Sequence, residues 1–198
     1  MFKLFSFLSF LLLFGTNSLN AQLLSLNELS EKDVFTLEEA LLNPEQVYKL
    51  NLKRHKLSQF PDLNLFPNLQ WINLSRNRMT EIPAEIFLLK NLQYLDLSKN
   101  KIDLIPKEIG NLTSLKQLYL NQNNIASLPP QIGKLINLEL FDLWENEISV
   151  LPIEIAELKK LKTLDLRNIL INDDEQKKIS LLLPDTKIYF SPGCLCKY

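Results

Sequence analysis

The chain has 198 residues, with 22 Lys and Arg against 23 Asp and Glu, a net charge of −1 and 46% hydrophobic residues. Near-neutrality gives no sign of nucleic acid or an anionic membrane as the main partner. One His and two Cys are too few for a structural zinc site, and no nucleophile–base pair or phosphate-cradling glycine loop is present. No catalytic residue, metal ligand or cofactor is therefore assigned, and function is expected on a surface.

Met1–Phe14 carries one Lys followed by the apolar run LFSFLSFLLLF, and polar Asn17 and Asn20 lead to Ala21-Gln22. This is the anatomy of a secretory signal peptide over residues 1–21, cleaved after Ala21; an uncleaved signal anchor is the alternative. The mature protein is then exported, secreted or held in the periplasm or at the cell surface, without membrane insertion and as a monomer.

Residues 22–46 read as an N-terminal cap. Thr36 and Glu39 stand at capping-box spacing, Leu37, Ala40 and Leu41 mark an apolar helical face, and Asn43-Pro44 ends the helix. Repeats fill residues 47–171. VYKLNLKRHKL begins at Val47, and LQWINLSRNRM, LQYLDLSKNKI, LKQLYLNQNNI, LELFDLWENEI and LKTLDLRNILI begin at 69, 92, 115, 138 and 161, a step of 23 residues between the last five. Alternating apolar and polar residues in each copy predict a half-buried strand, and stacked copies a parallel sheet.

The Asn column Asn77, Asn100, Asn123 and Asn146 predicts buried amides that satisfy neighbouring turns. His55 and Ile169 break that column in the terminal copies. Ile-Pro or Leu-Pro pairs then place Pro83, Pro106, Pro129 and Pro152 at the first position of short helical turns. Gly110 and Gly133 share a slot with Phe87 and Ala156, so the slot reads as helical and its glycines as incidental.

Residues 172–190 read as a C-terminal cap. Asn172 or Asp173 caps a helix that ends at Pro184, Ile179, Leu182 and Leu183 cover the last repeat, and Lys187–Phe190 adds a strand. The tail, 191–198, holds Cys194 and Cys196. A strained local disulfide, pairing with another chain, a weak metal-binding thiol pair and an idle tail all remain open for them.

The pattern L-x-x-L-x-L-x-x-N-x-L resembles the leucine-rich repeat. Its 23-residue step with Ile-Pro and Ile-Gly pairs is similar to the plant Ras-group and Shoc2-like type. LEEALLNPEQVYKLNL and LLPDTKIYF resemble the caps of short exported repeat proteins of Bacteroidetes. The resemblance implies an α/β solenoid, curved, of about six repeats, with helical caps at both ends. It also implies a concave parallel sheet that binds proteins, and it brings no catalytic residues.

Outward positions on that sheet form three columns. Lys49, Trp71, Tyr94, Gln117, Leu140 and Thr163 make the first; Asn51, Asn73, Asp96, Tyr119, Asp142 and Asp165 the second; Lys53, Ser75, Ser98, Asn121, Trp144 and Arg167 the third. Trp71, Tyr94, Tyr119 and Trp144 trace a diagonal aromatic stripe suited to anchoring a partner. Basic Arg76 and Lys99 lie towards one end, and acidic Asp142 and Glu145 towards the other, which would orient a partner of complementary charge. The expected function is a non-catalytic protein-binding module. Carbohydrate or cell-surface ligand binding through the aromatics, and a structural envelope role, are the alternatives.

Overall fold

The computed structural model describes residues 22–56 and 60–191. The expected signal peptide, Cys194 and Cys196 lie outside them. Eight strands form one open sheet in chain order, every neighbouring pair parallel: β1 Val34–Phe35, β2 Lys49–Asn51, β3 Trp71–Asn73, β4 Tyr94–Asp96, β5 Gln117–Tyr119, β6 Leu140–Asp142, β7 Thr163–Leu166 and β8 Lys187–Phe190. This is the expected α/β leucine-rich repeat solenoid.

The alternation in sequence explains each strand. Leu50, Ile72, Leu95, Leu118, Phe141 and Leu164 point inward and are fully buried, while both flanking residues of each are half-buried on the open face. Register is regular: Trp71 pairs Tyr94, Asp96 pairs Tyr119, and Tyr119 pairs Asp142. A one-residue slip would turn every leucine to solvent, so the pattern fixes the register.

The Asn ladder satisfies the turns as its burial requires. Asn100 donates from Nδ2 to the carbonyls of Leu74 and Leu97, and its Oδ1 accepts the N–H groups of Asn77 and Met79. Asn146 donates to Leu120 and Leu143 and accepts from Ile125. His55 is exposed, and its turn is met from the next coil as the others are, the Asn77 amide accepting from the Lys56 N–H.

Two details of the return segments correct the sequence expectations. Pro83, Pro106, Pro129 and Pro152 stand one residue before the 3-10 turns, not at their first position. Their extended backbone leads in, and each proline carbonyl accepts the N–H of the buried Ile three residues on, at 3.0–3.1 Å. Nor are the glycines incidental. A Cβ on Gly133 would lie 2.5 Å from the carbonyl oxygen of Glu154, and one on Gly110 2.9 Å from that of Gln131. The slot is free of positive φ, as expected; its glycines permit close approach of the next coil.

Both ends are capped. α2, Leu37–Leu42, starts with the Thr36–Glu39 capping box, and Ala40 is buried, although Leu41 is 52% exposed and takes no part in the core. α3, Asp173–Leu182, has Asn172 as N-cap and buries Ile179, with Leu183 buried just beyond it. An unanticipated helix, α1, Leu26–Ser30, carries a second capping box between Ser25 and Glu28.

Candidate functional site

The open face of the sheet gathers the sequence-predicted site residues, but into separate groups. Trp71 and Tyr94 occupy paired positions on β3 and β4, and their rings stack at 4.6 Å with 17° between planes. Tyr119 lies one column over and follows at 5.3 Å, tilted by 43°. Rings stacked along the sheet stand upright on it, so the edges of Trp71 and Tyr94 are presented more than their faces. Trp144 falls one column further still. Among the described residues no ring contact joins it to Tyr119, so the four-residue stripe is a three-ring stack plus a separate indole. Trp144 borders a shallow depression of about 400 Å³ with Arg167, Asn168 and Ser191.

The third column is only partly outward. Ser75 and Ser98 are buried at 3% and 9% exposure, and each N–H closes an Asx turn on the preceding Asn73 or Asp96 oxygen.

Charge differs along the face. Asp165 is neutralised by Arg167, whose Nε and terminal nitrogen hold both carboxylate oxygens. Asp142 accepts the Trp144 N–H at 3.0 Å, and among the described residues it has no cation paired to it. Burial pushes the Asp142 carboxyl up to about 6; the Trp144 N–H opposes this, Asp165 adds to it, and the nearby Arg167 charge opposes it again. Burial, then Asp96, raises the Tyr94 phenol; burial, then Asp142, raises that of Tyr119. Both hydroxyls therefore remain protonated donors at neutral pH.

Arg76, Lys99 and Glu145 lie outside the sheet proper, at the turn after each strand. All three are exposed and adopt left-handed backbone at φ 63°, 57° and 58°, as do Arg54, Gln122 and Asn168 at the same repeat position. Glu145 accepts from Gln122 Nε2 at 2.8 Å. Only Asn168 is a residue type that signals this conformation.

Sequence reasoning missed a polar strap. Gln70 and Gln93 are fully buried because residues 22–24 cross over them. Gln70 accepts the Leu24 N–H and donates to the Gln22 carbonyl, while Gln93 donates to Leu24 O and Gln70 Oε1. The available signal was two neutral amides in a position held by Lys116, Glu139 and Lys162 in the later copies. Beyond the strap, Leu26, Leu29 and Ser30 of α1 wall a notch of about 250 Å³ beside Lys49, Trp71, Tyr94 and Gln117.

Comparisons with known proteins agree with this architecture. The family described as "Leucine rich repeat" matches residues 67–125, and that described as "Leucine-rich repeat region" matches 107–181. Among solved structures, a leucine-rich repeat protein of Leptospira interrogans is 31% identical, with a TM-score of 0.65 over 81% of this chain and 49% of that one. An internalin (inlF) of Listeria monocytogenes is 21% identical, TM-score 0.63, over 77% and 45%. Internalin C2 of the same species is 23% identical, TM-score 0.65, over 76% and 64%. The chain thus spans about half the length of the first two and under two thirds of the third. A comparison with curated proteins returned no match.

The fold and its repeats define a leucine-rich repeat solenoid, a class that commonly mediates protein binding. The finer likeness to one 23-residue type, and to exported Bacteroidetes proteins, is carried by the sequence motifs alone.

Proposed function

We propose that the protein is an exported, non-catalytic module that holds a protein partner on the open face of its sheet. The observation that carries this reading is the Trp71–Tyr94–Tyr119 stack, three large side chains pre-ordered on a half-buried surface. Rigid aromatics lose little entropy on binding and serve as anchors. Asp142, which has no ion pair among the described residues, adds a place for a partner's basic group. Export rests on the apolar stretch within residues 1–14. Among the described residues no helix is long and apolar enough to cross a membrane.

Crosslinking the protein in its native envelope, followed by identification of what is held, tests this reading. Replacing Trp71, Tyr94, Tyr119 and Trp144 together by Ala is expected to abolish capture with the fold retained. Unchanged capture would remove the proposal. A sugar ligand is the second reading, favoured at Trp144 alone, whose ring is unstacked. A glycan array with a saturable, Trp144-dependent signal and no protein captured would establish it instead. A purely structural envelope role predicts no effect from either change.

A further inference from the structure

Three successive turns carry a grid of six cations, of which the expected partner-binding surface includes only Arg76 and Lys99. Arg54, Arg76 and Lys99 precede the ladder position in the turns after β2, β3 and β4, and Lys56, Arg78 and Lys101 follow it. All six are exposed, and none forms an ion pair among the described residues. Strand spacing of about 4.8 Å puts three cations along each side of the ladder within about 10 Å. The pattern stops abruptly. The next turn reads Gln122-Asn123-Asn124 and the one after it Glu145-Asn146-Glu147. On a chain of net charge −1, six exposed cations without ion pairs along one edge make a local positive field that attracts anions.

We propose that this edge binds a linear polysaccharide bearing sulfate or carboxylate groups, laid across the turns of β2–β4. Two parallel rows of guanidinium and ammonium groups match anions repeating along an extended chain, and Arg forks can hold such oxyanions bidentately. Between the rows lie only Asn77, Asn100, His55 and backbone, with Ser75 and Ser98 at the inner border. No apolar pocket there would anchor a protein segment. No Phe, Tyr or Trp lies between the rows to stack nucleic-acid bases. The site is independent of the aromatic stack and works by charge, unlike a sugar stacked on Trp144.

Calorimetric titration of the protein with a heparin-derived hexasaccharide tests the proposal, with neutral dextran, hexaglutamate and phosphatidylglycerol vesicles as comparison ligands. Saturable hexasaccharide binding that weakens with salt is expected, and little binding of the other three. The variant R76E/R78E/K99E/K101E should lose about tenfold or more in affinity. The variant K90E/K107E/K134E/K159E, with the same charge change on the opposite side, should stay within about twofold. Circular dichroism melts confirm folding of both. Absence of hexasaccharide binding, equal loss in the two variants, or equal binding of hexaglutamate or vesicles would overturn the proposal. W71A/Y94A/Y119A should keep hexasaccharide binding, so this site and the partner-binding face fail separately.

Discussion

The half of the sheet built by β2–β4 and the half built by β5–β7 share one backbone plan, yet they hold their display residues in different ways. In the first half, Trp71 and Tyr94 stack on each other beside a notch walled by α1, and Gln70 and Gln93 are pinned under residues 22–24. In the second half, among the described residues, Trp144 has no ring partner and Asp142 no ion-paired cation, while the coil after β5 closes tightly on the coil after β6 through Gly133. Order on the face thus comes from contacts between display residues in one half and from coil packing behind it in the other. Substitutions in the two halves should accordingly fail in different ways.

The largest expected effect breaks the shared plan. Asn100→Ala strands the N–H groups of Asn77 and Met79, while the Leu74 and Leu97 carbonyls keep the Asn77 and Asn123 amides as donors. Asn146→Ala strands the Ile125 N–H and the Leu143 carbonyl, while Leu120 keeps Asn123. An under-satisfied carbonyl costs less than an orphaned N–H. The expected losses are about 3–4 kcal/mol and about 2–3 kcal/mol respectively. Urea unfolding of both variants checks the order; equal midpoints would mean that the first half gains nothing from its extra acceptor bond. Gly133→Ala comes next. Its Cβ meets the Glu154 carbonyl, and separating the coils should cost about 2 kcal/mol. Phe87→Leu, in a slot of the first half that already holds a large side chain, should cost about 1 kcal/mol.

The scaffold was legible in the sequence and the surface much less so. Leucines at a fixed step, the Asn column and the Thr36–Glu39 box each have one structural solution, because a slip exposes apolar surface or strands a buried backbone group. The glycine slot was misread because residue types constrain φ but do not reveal how near the next coil comes. Gln70 and Gln93 were missed because their partners, Gln22 and Leu24, lie 48 and 69 residues away in the chain. Trp144 was placed in the right column, but only coordinates could separate it from the stack. The left-handed turn residues were invisible because Arg, Lys and Glu rarely adopt that conformation.

Asp142 gives a pH-dependent contrast between the halves. Its carboxyl titrates at about 6 in the folded chain against an ordinary 3.8, chiefly through burial. The ionised form is the one disfavoured by folding. Its favourable contribution is therefore complete below 3.8 and is lost as pH rises through about 6. Asp142→Asn keeps the acceptor for the Trp144 N–H and should stabilise the protein by about 1 kcal/mol at pH 8, a figure reduced for residual solvent screening. The gain should vanish by about pH 4. Urea midpoints at the two pH values decide it. A gain of equal size at both would place the strain elsewhere than on the charge.

The smallest effect concerns the turns, where the comparison is purely conformational. Lys99 holds φ 57° with a side chain that disfavours it, whereas Asn168 holds φ 52° with one that tolerates it. Lys99→Gly removes a left-handed cost of about 1 kcal/mol and restores part of it as unfolded-chain entropy, leaving a gain of about 0.5 kcal/mol. Asn168→Gly has less to relieve, and it gives up the bond between Asn168 Oδ1 and the Ser191 hydroxyl, so it should be neutral or slightly destabilising. Thermal melts resolve a difference of this size when both variants are measured together. A gain at Lys99 that is matched by Glu145→Gly would assign it to backbone strain common to the turns. A gain confined to Lys99 would assign it instead to relief of repulsion within the cation grid, a property of the first half alone.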